Sequence, residues 1–146
     1  MKRTGVWPIV YLLGGAALAT ALFLDGSPVR AVVTLLLFLL LAAVFSPLAF
    51  PRSVGAAEAR RRSAADGRPV VYWRPGCTYC LRLRLRLAGR ARRLHWVNIW
   101  RDPEAAEAVR AVNDGDETVP TVVVGGRSHT NPAPAWVLRQ LSATGS

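Results

Sequence analysis

Cysteine is almost absent from this 146-residue sequence: there are two, Cys77 and Cys80, accompanied by only two histidines, His95 and His129. Two cysteines exclude a framework of several disulfides, and one bridge across so short a loop would constrain the unfolded chain little. A structural zinc wants four ligands, and His95 and His129 fall singly in strand-like segments, so no metal site is expected. Lysine is nearly missing as well. Lys2 is the only lysine among 19 basic residues, which stand against nine acids for a formal charge of +10. A basic surplus is the usual footprint of phosphate binding. Here the arginines follow an apolar segment or are interleaved with Leu and Ala, without a recognition motif, so no nucleic-acid partner is expected. Arginine and alanine in place of lysine point to a GC-rich genome.

Charge is lacking altogether from most of the first third. Gly5 to Phe50 is nearly all apolar, whereas the remainder has the mixed composition of a small globular unit. Gly5–Leu24 is about the 20 residues that a helix needs to cross the hydrocarbon core. Asp25-Gly26-Ser27-Pro28 breaks it, and Ala31–Phe50 is a second span, with Ser46-Pro47 expected to kink its last turn. Residues 1–50 are therefore expected to form a two-helix transmembrane hairpin. A cleaved signal peptide competes, since Lys2 and Arg3 precede the run and Ala17-Leu18-Ala19 resembles a cleavage site. The run is long for such a segment, which favours an uncleaved anchor. Gly15 and Ala19, four apart, would let the two helices approach closely.

Lys2 and Arg3 lie on one side of the hairpin, and Arg52 with Arg60, Arg61 and Arg62 return to it. Cytoplasmic flanks carry the basic excess, so a multi-pass protein of the cell membrane is expected, with its termini in the cytoplasm. Trp7 and Tyr11 fit an interfacial aromatic belt. Residues 51–69 read as a basic linker in which helix-forming Ala56–Ala65 is stopped by Asp66-Gly67; fully extended it would reach about 60 Å. Arg60–Arg62 would either rest on anionic membrane lipids or belong to a solvated spacer.

Residues 70–146 carry the chemistry. Val70–Trp73 is a buried strand that leads through Arg74-Pro75-Gly76 into Cys77-Thr78-Tyr79-Cys80. A Cys-x-x-Cys pair between a strand and the first turn of a helix is a redox arrangement, because helix N-terminal amides and the helix dipole stabilise a thiolate there. Cys77 is the candidate nucleophile. Leu81-Arg82-Leu83-Arg84-Leu85-Arg86-Leu87 alternates with the period of a strand. Leu and Arg are nonetheless strong helix formers, and in a helix Cys80, Leu83 and Leu87 share one face, so a helix ending at Gly89 is expected. Leu94–Trp100 is a second strand, parallel to the first across the intervening helix. Asp102-Pro103-Glu104 opens a helix through Val112, which Asn113-Asp114-Gly115 stops. Thr118–Val124 is β-branched, with Pro120 at its start. Gly125-Gly126 turns it into an antiparallel strand at Arg127–Thr130. Asn131-Pro132 would cap a last helix through about Leu141, packing Trp136, Val137 and Leu141 inward.

The order β-α-β-α-β-β-α, with Cys-x-x-Cys opening the first helix, resembles the thioredoxin-like fold in its short glutaredoxin form, an α/β domain with a four-stranded mixed sheet. Cys77-Thr78-Tyr79-Cys80, Val112-Asn113-Asp114-Gly115, Thr118-Val119-Pro120-Thr121-Val122 and Thr130-Asn131-Pro132 are similar to the mycoredoxins, the mycothiol-dependent glutaredoxins of actinobacteria. The resemblance implies that Cys77 is the nucleophile and Cys80 the resolving cysteine. It implies a cis-proline at Pro120, with Val119 offering backbone hydrogen bonds to the substrate. Arg74, Tyr79, Thr118, Ser128, Thr130 and Asn131 complete the expected substrate-binding set. Arg127 follows the Gly-Gly turn where glutathione-binding relatives often carry an acid, and Gly76 precedes the first cysteine where an aromatic is common; the first departure speaks against glutathione.

The expected function is therefore a thiol-disulfide oxidoreductase without a tightly bound cofactor, with mycothiol as co-substrate and disulfide-containing or mycothiolated proteins as partners. Two alternatives remain open: a glutaredoxin-like electron donor reduced by thioredoxin reductase, and a membrane-tethered protein that holds a metal or iron-sulfur cluster between two subunits.

Overall fold

The computed structural model describes residues 6–44, 46 and 50–144, and these form two units, residues 1–49 and 50–146. The first is a helical hairpin. α1 runs Val6–Leu24 and α2 Pro28–Val44. Pro28, read from the sequence as part of the break, instead opens α2, because its fixed φ suits a first helical turn. α2 therefore starts three residues before the expected Ala31. Gly26 makes the turn at φ 74°. The expected close approach is present at Gly15, where a Cβ would lie 2.4 Å from the Cβ of Phe38. Ala19, Ala31 and Ala42 are buried, whereas Leu13, Phe23, Leu36 and Leu40 are each at least 60% exposed. Among the described residues no helix is long and apolar enough to cross a membrane, so the expected transmembrane spans at 5–24 and 31–50 gain no support. Lys2, Arg3, the side chain of Trp7 and the Pro47 kink lie outside the described residues.

The second unit is built on a four-stranded sheet in the order β2-β1-β3-β4, with β1 at Val70–Trp73, β2 at His95–Asn98, β3 at Thr121–Val124 and β4 at Arg127–Thr130. β1 and β2 are parallel, as a strand-helix-strand crossover requires, while β3 pairs antiparallel with both β1 and β4. All four residues of β1 are buried. α4 (Thr78–Leu87) confirms helix over alternation: Cys80, Leu83 and Leu87 are buried, and Leu85 is 66% exposed. A 3-10 turn over Ala88–Arg93 follows, so Gly89 does not end the helical stretch; Ala88, at φ 47°, breaks the α-helical pattern. α5 (Pro103–Val112) begins as expected, with the Asp102 carboxylate accepting from the Glu104 and Ala105 amides. α4 and α5 join two parallel strands to the rest in the thioredoxin-like, glutaredoxin-length order expected from the sequence.

The stretch 51–69 departs most from expectation. It is not a spacer. Phe50 stacks on Trp73 with ring centroids 3.9 Å apart, the Val54 amide donates to the Trp96 carbonyl at 3.0 Å, and α3 (Ala56–Asp66) buries Ala56 and Ala59 completely. Asp102 accounts for the docking: while Oδ1 caps α5, Oδ2 accepts from the Ala56 amide at 2.6 Å and so caps α3 as well. At the other end His95 and Asp66 pair at 2.9 Å. A reach of tens of ångströms is therefore unavailable to this stretch. The arginines of α3 are matched internally, Arg60 by Glu104 and both Arg61 and Arg62 by Glu58, so the contact with anionic lipids expected of them gains no support.

The last helix, α6, spans Pro134–Ala143 rather than opening at Asn131-Pro132. Asn131 takes φ 46° and its amide donates to the Pro120 carbonyl at 2.7 Å, so the chain bends there, and Pro134 occupies the first turn. Val137 and Leu141 are buried as expected; Trp136 is half-buried against His129, with ring centroids 4.2 Å apart. That contact places α6 on the His129 face of the sheet. Asn113, at the end of α5, donates to Thr121 and accepts from Thr130, which places α5 on the other.

Candidate active site

At the end of β1 the chain reverses through Arg74-Pro75-Gly76. Gly76 sits at φ 77°, a region open to glycine but unfavourable for a side chain. The reversal leaves Cys77 as the N-cap of α4, with extended backbone (φ −82°, ψ 108°) and its sulfur accepting from the Cys80 amide at 3.1 Å. The sulfur thus stands where a capping oxygen usually stands. Cys77 is partly exposed and Cys80 is fully buried, and both are free thiols. The hydrogen bond from the Cys80 thiol, helped by the Cys80 amide, the Arg74 charge and the Tyr79 amide, lowers the pKa of Cys77 to about 7 against the opposing effect of burial. Cys80 is driven the other way: its hydrogen bond to Cys77, burial, and the charge of Cys77 all hold its proton on. One helical turn separates a thiolate near neutrality from a thiol that stays protonated.

Opposite the cysteines lies the loop before β3. The Val119–Pro120 peptide is cis, and the Val119 carbonyl stands 3.4 Å from the Cys77 sulfur, accepting from it when it is a thiol. The Val119 amide has no acceptor among the described residues, so this stretch offers an unpaired edge to an extended partner. A groove of about 260 Å³ lies between α4 and the bend after β4, lined by Tyr79, Arg82, Leu83, Asn131, Pro132, Ala133 and Pro134. Among the described residues no three His, Cys, Asp or Glu side chains are grouped to hold a metal ion.

Known proteins are similar in sequence over this unit. The glutaredoxin family model matches residues 70–129. Mycoredoxin 1 of Corynebacterium glutamicum is 38% identical over 75 residues, which are 51% of this chain and 92% of that protein. The chain belongs to the glutaredoxin family. A Mycobacterium tuberculosis protein described as a glutaredoxin is 41% identical over 73 residues, covering 49% of this chain and 87% of the relative. The glutaredoxin unit is accordingly a thiol-disulfide oxidoreductase with a Cys-x-x-Cys site, and the geometry of Cys77 and Cys80 is that of such chemistry.

The glutaredoxin unit gathers some of the expected binding residues and not others. Arg74 adds its charge to Cys77 and also lies over the Trp100 ring, 6.0 Å from its centroid. Tyr79 and Asn131 line the groove, and the Val119 carbonyl, next to the cis Pro120, faces the sulfur. Thr118 is exposed, with its carbonyl accepting from the Thr121 hydroxyl at 2.7 Å. Thr130 directs its hydroxyl to Asn113 Oδ1 at 2.5 Å. Ser128 does not join them. It pairs with Val123, toward the Gly125-Gly126 turn, and β1 runs antiparallel to β3 so that Val70, not Trp73, lies at that end. The turn is thus at the opposite end of the sheet from Cys77, and Arg127 after it has no bearing on which thiol the site accepts.

Sequence reasoning did not place Arg82 or Pro132–Pro134 in a groove, although Arg82 lies three positions after Tyr79 and so shares its helix face. It also read Asn113 only as a helix stop. The Asn113 amide nitrogen donates to the Val109 carbonyl at 2.8 Å and to Thr121 Oγ1 at 3.2 Å, fixing the end of α5 to the start of β3.

Proposed function

We propose that Cys77 attacks, as thiolate, the sulfur of a mixed disulfide between a protein and a low-molecular-weight thiol, and that this thiol is mycothiol. One observation carries the reading: the Cys77 sulfur caps α4, with its pKa lowered to about 7, while its partner Cys80 is buried and protonated. In the first step a bond forms between Cys77 sulfur and the mycothiol sulfur, and the protein leaves as a thiolate that takes up a proton. A second mycothiol then attacks the mycothiol sulfur of that adduct, giving oxidised mycothiol and restoring the Cys77 thiolate. Alternatively Cys80 loses its proton and attacks Cys77, closing a Cys77–Cys80 disulfide and releasing mycothiol. Once Cys77 is in a mixed disulfide its negative charge is gone, and with it two of the three causes that hold the proton on Cys80. Burial remains as the cause that opposes ionisation of Cys80.

The choice of mycothiol rests on the mycoredoxin resemblance and on the identity to Mycoredoxin 1; the groove beside Tyr79 and Asn131 offers neutral amide and hydroxyl partners for a sugar body. The test is NADPH consumption by the full chain with one mixed-disulfide substrate in three coupled systems. Turnover should be fastest with mycothiol and its reductase. A rate seen only with thioredoxin reductase would assign the chain to electron donors of that system.

We further propose that the α1–α2 hairpin sits in the cell membrane with the glutaredoxin unit on the cytoplasmic side. The outward Leu13, Phe23, Leu36 and Leu40 side chains and the basic flanks in the sequence support it. The chain should remain with the membrane fraction after alkaline carbonate extraction, with Cys77 shielded from an impermeant thiol reagent in intact cells. Release by carbonate would remove the hairpin from the bilayer.

A further inference from the structure

Resting on the reading of Cys77 as nucleophile and of the 118–121 loop as the edge that meets the substrate, we propose that Asn113 is a positioning residue for that loop. Its side chain bridges three elements. Nδ2 donates to the Val109 carbonyl in α5 and to Thr121 Oγ1 in β3, while Oδ1 accepts from the Thr130 hydroxyl in β4 at 2.5 Å. The chain of bonds goes on toward the cysteines. Thr121 is completely buried, and its hydroxyl, accepting from Asn113, donates to the Thr118 carbonyl at 2.7 Å. That bond closes the turn Thr118-Val119-Pro120-Thr121, and the turn sets the Val119 carbonyl 3.4 Å from the Cys77 sulfur. From the other strand, the Asn131 amide donates to the Pro120 carbonyl at 2.7 Å, so both edges of the loop are held.

No other residue type reproduces this set. The amide supplies two donors and an acceptor in one plane, and all three are engaged. Aspartate keeps the acceptor for Thr130 and loses both donors; alanine loses everything. A substrate that pairs with an extended edge must find that edge in place, so a loosened loop weakens binding rather than chemistry. It also frees Cys77 from the Val119 carbonyl, which accepts only from the neutral thiol and therefore favours it. Displacing the loop should lower the pKa of Cys77 further, the reverse of what damage to the start of α4 would do.

The experiment compares the full chain with Asn113→Ala, Asn113→Asp, Thr121→Val and Thr130→Val, reading kcat and KM for a mixed-disulfide substrate and the pH midpoint of Cys77 alkylation. Loss of one or two hydrogen bonds predicts a KM raised on the order of ten-fold in Asn113→Ala and Thr121→Val, with kcat within about two-fold and the midpoint moved down. Asn113→Asp should fall with Asn113→Ala, and Thr130→Val between them and the parent. If Asn113→Ala does not fold, Thr121→Val carries the test, because it removes only the hydroxyl. Unchanged KM in variants that fold overturns the proposal, as does a midpoint moved up toward the ordinary thiol value, which would mean that the start of α4 itself was disturbed. A parent chain that reduces no mixed disulfide would instead refute the function on which the proposal rests.

Discussion

Helices α3 and α4 are both rich in arginine, and they use it in opposite ways. In α3 the run Arg60-Arg61-Arg62 is matched by Glu104 and Glu58, and the helix is fastened to the sheet by the Asp102 cap and the Asp66–His95 pair. In α4 and the turn after it, Arg82, Arg84, Arg86, Arg90, Arg92 and Arg93 form no ion pair among the described residues. The sequence has no acid between Asp66 and Asp102. Composition is therefore silent about role; the placement of the acids decides it. Where they are interspersed the arginines hold structure, and where they are missing the helix keeps an uncompensated positive charge, while the charge that lowers the pKa of Cys77 comes from Arg74, ahead of the helix.

The contrast can be broken at several points. The largest effect belongs to α4: Cys77→Ser should reduce thiol transfer to background, while Cys80→Ser should retain reduction of mixed disulfides and lose reduction of intramolecular disulfides. Equal inactivity of both variants toward both substrates would withdraw the nucleophile assignment. Next comes the fastening of α3. Asp102→Ala removes two helix caps at once and should destabilise the unit by about 2 kcal/mol in urea unfolding, from about 1 kcal/mol per cap, with protection of the α3 amides lost first in hydrogen exchange; an α3 that stays protected would show that apolar docking alone holds it. Smaller still, Arg74→Ala should move the Cys77 alkylation midpoint upward, because the Arg74 charge is one of the lesser causes that lower it. The least effect is expected of Arg60→Ala, within about 1 kcal/mol, since both Arg60 and Glu104 are about half exposed. A larger loss would mean that the arginines of α3 do more than balance charge.

The same two helices show what the sequence could disclose. α4 was legible against its own alternation because Leu and Arg favour helix and because Cys80, Leu83 and Leu87 fall on one face, which the burial pattern repeats. The order of elements and the α5 cap at Asp102 followed from local pattern and turn chemistry, and the cis bond at Pro120 from the family resemblance. The docking of α3 was not legible. Its apolar face is only Ala56 and Ala59, too small to announce a packed helix, and the second oxygen of Asp102 that caps it comes from 46 residues away. Ser128 was misplaced for a related reason: proximity in sequence to Thr130 hid the fact that the hairpin carries it toward the far end of the sheet. Asn113 was visible as a helix stop, but its three hydrogen bonds depend on pairing between β3 and β4 that no local pattern reveals.

The central claim is that the start of α4 makes a thiolate of Cys77 near neutral pH while Cys80 stays protonated. The direct measurement is the rate of alkylation of the fully reduced full chain as a function of pH, with the modified residue identified by mass spectrometry. Modification should appear at Cys77 alone, with a half-maximal rate near pH 7. A midpoint at the ordinary thiol value near pH 9, or Cys80 reacting as fast as Cys77, would contradict the account.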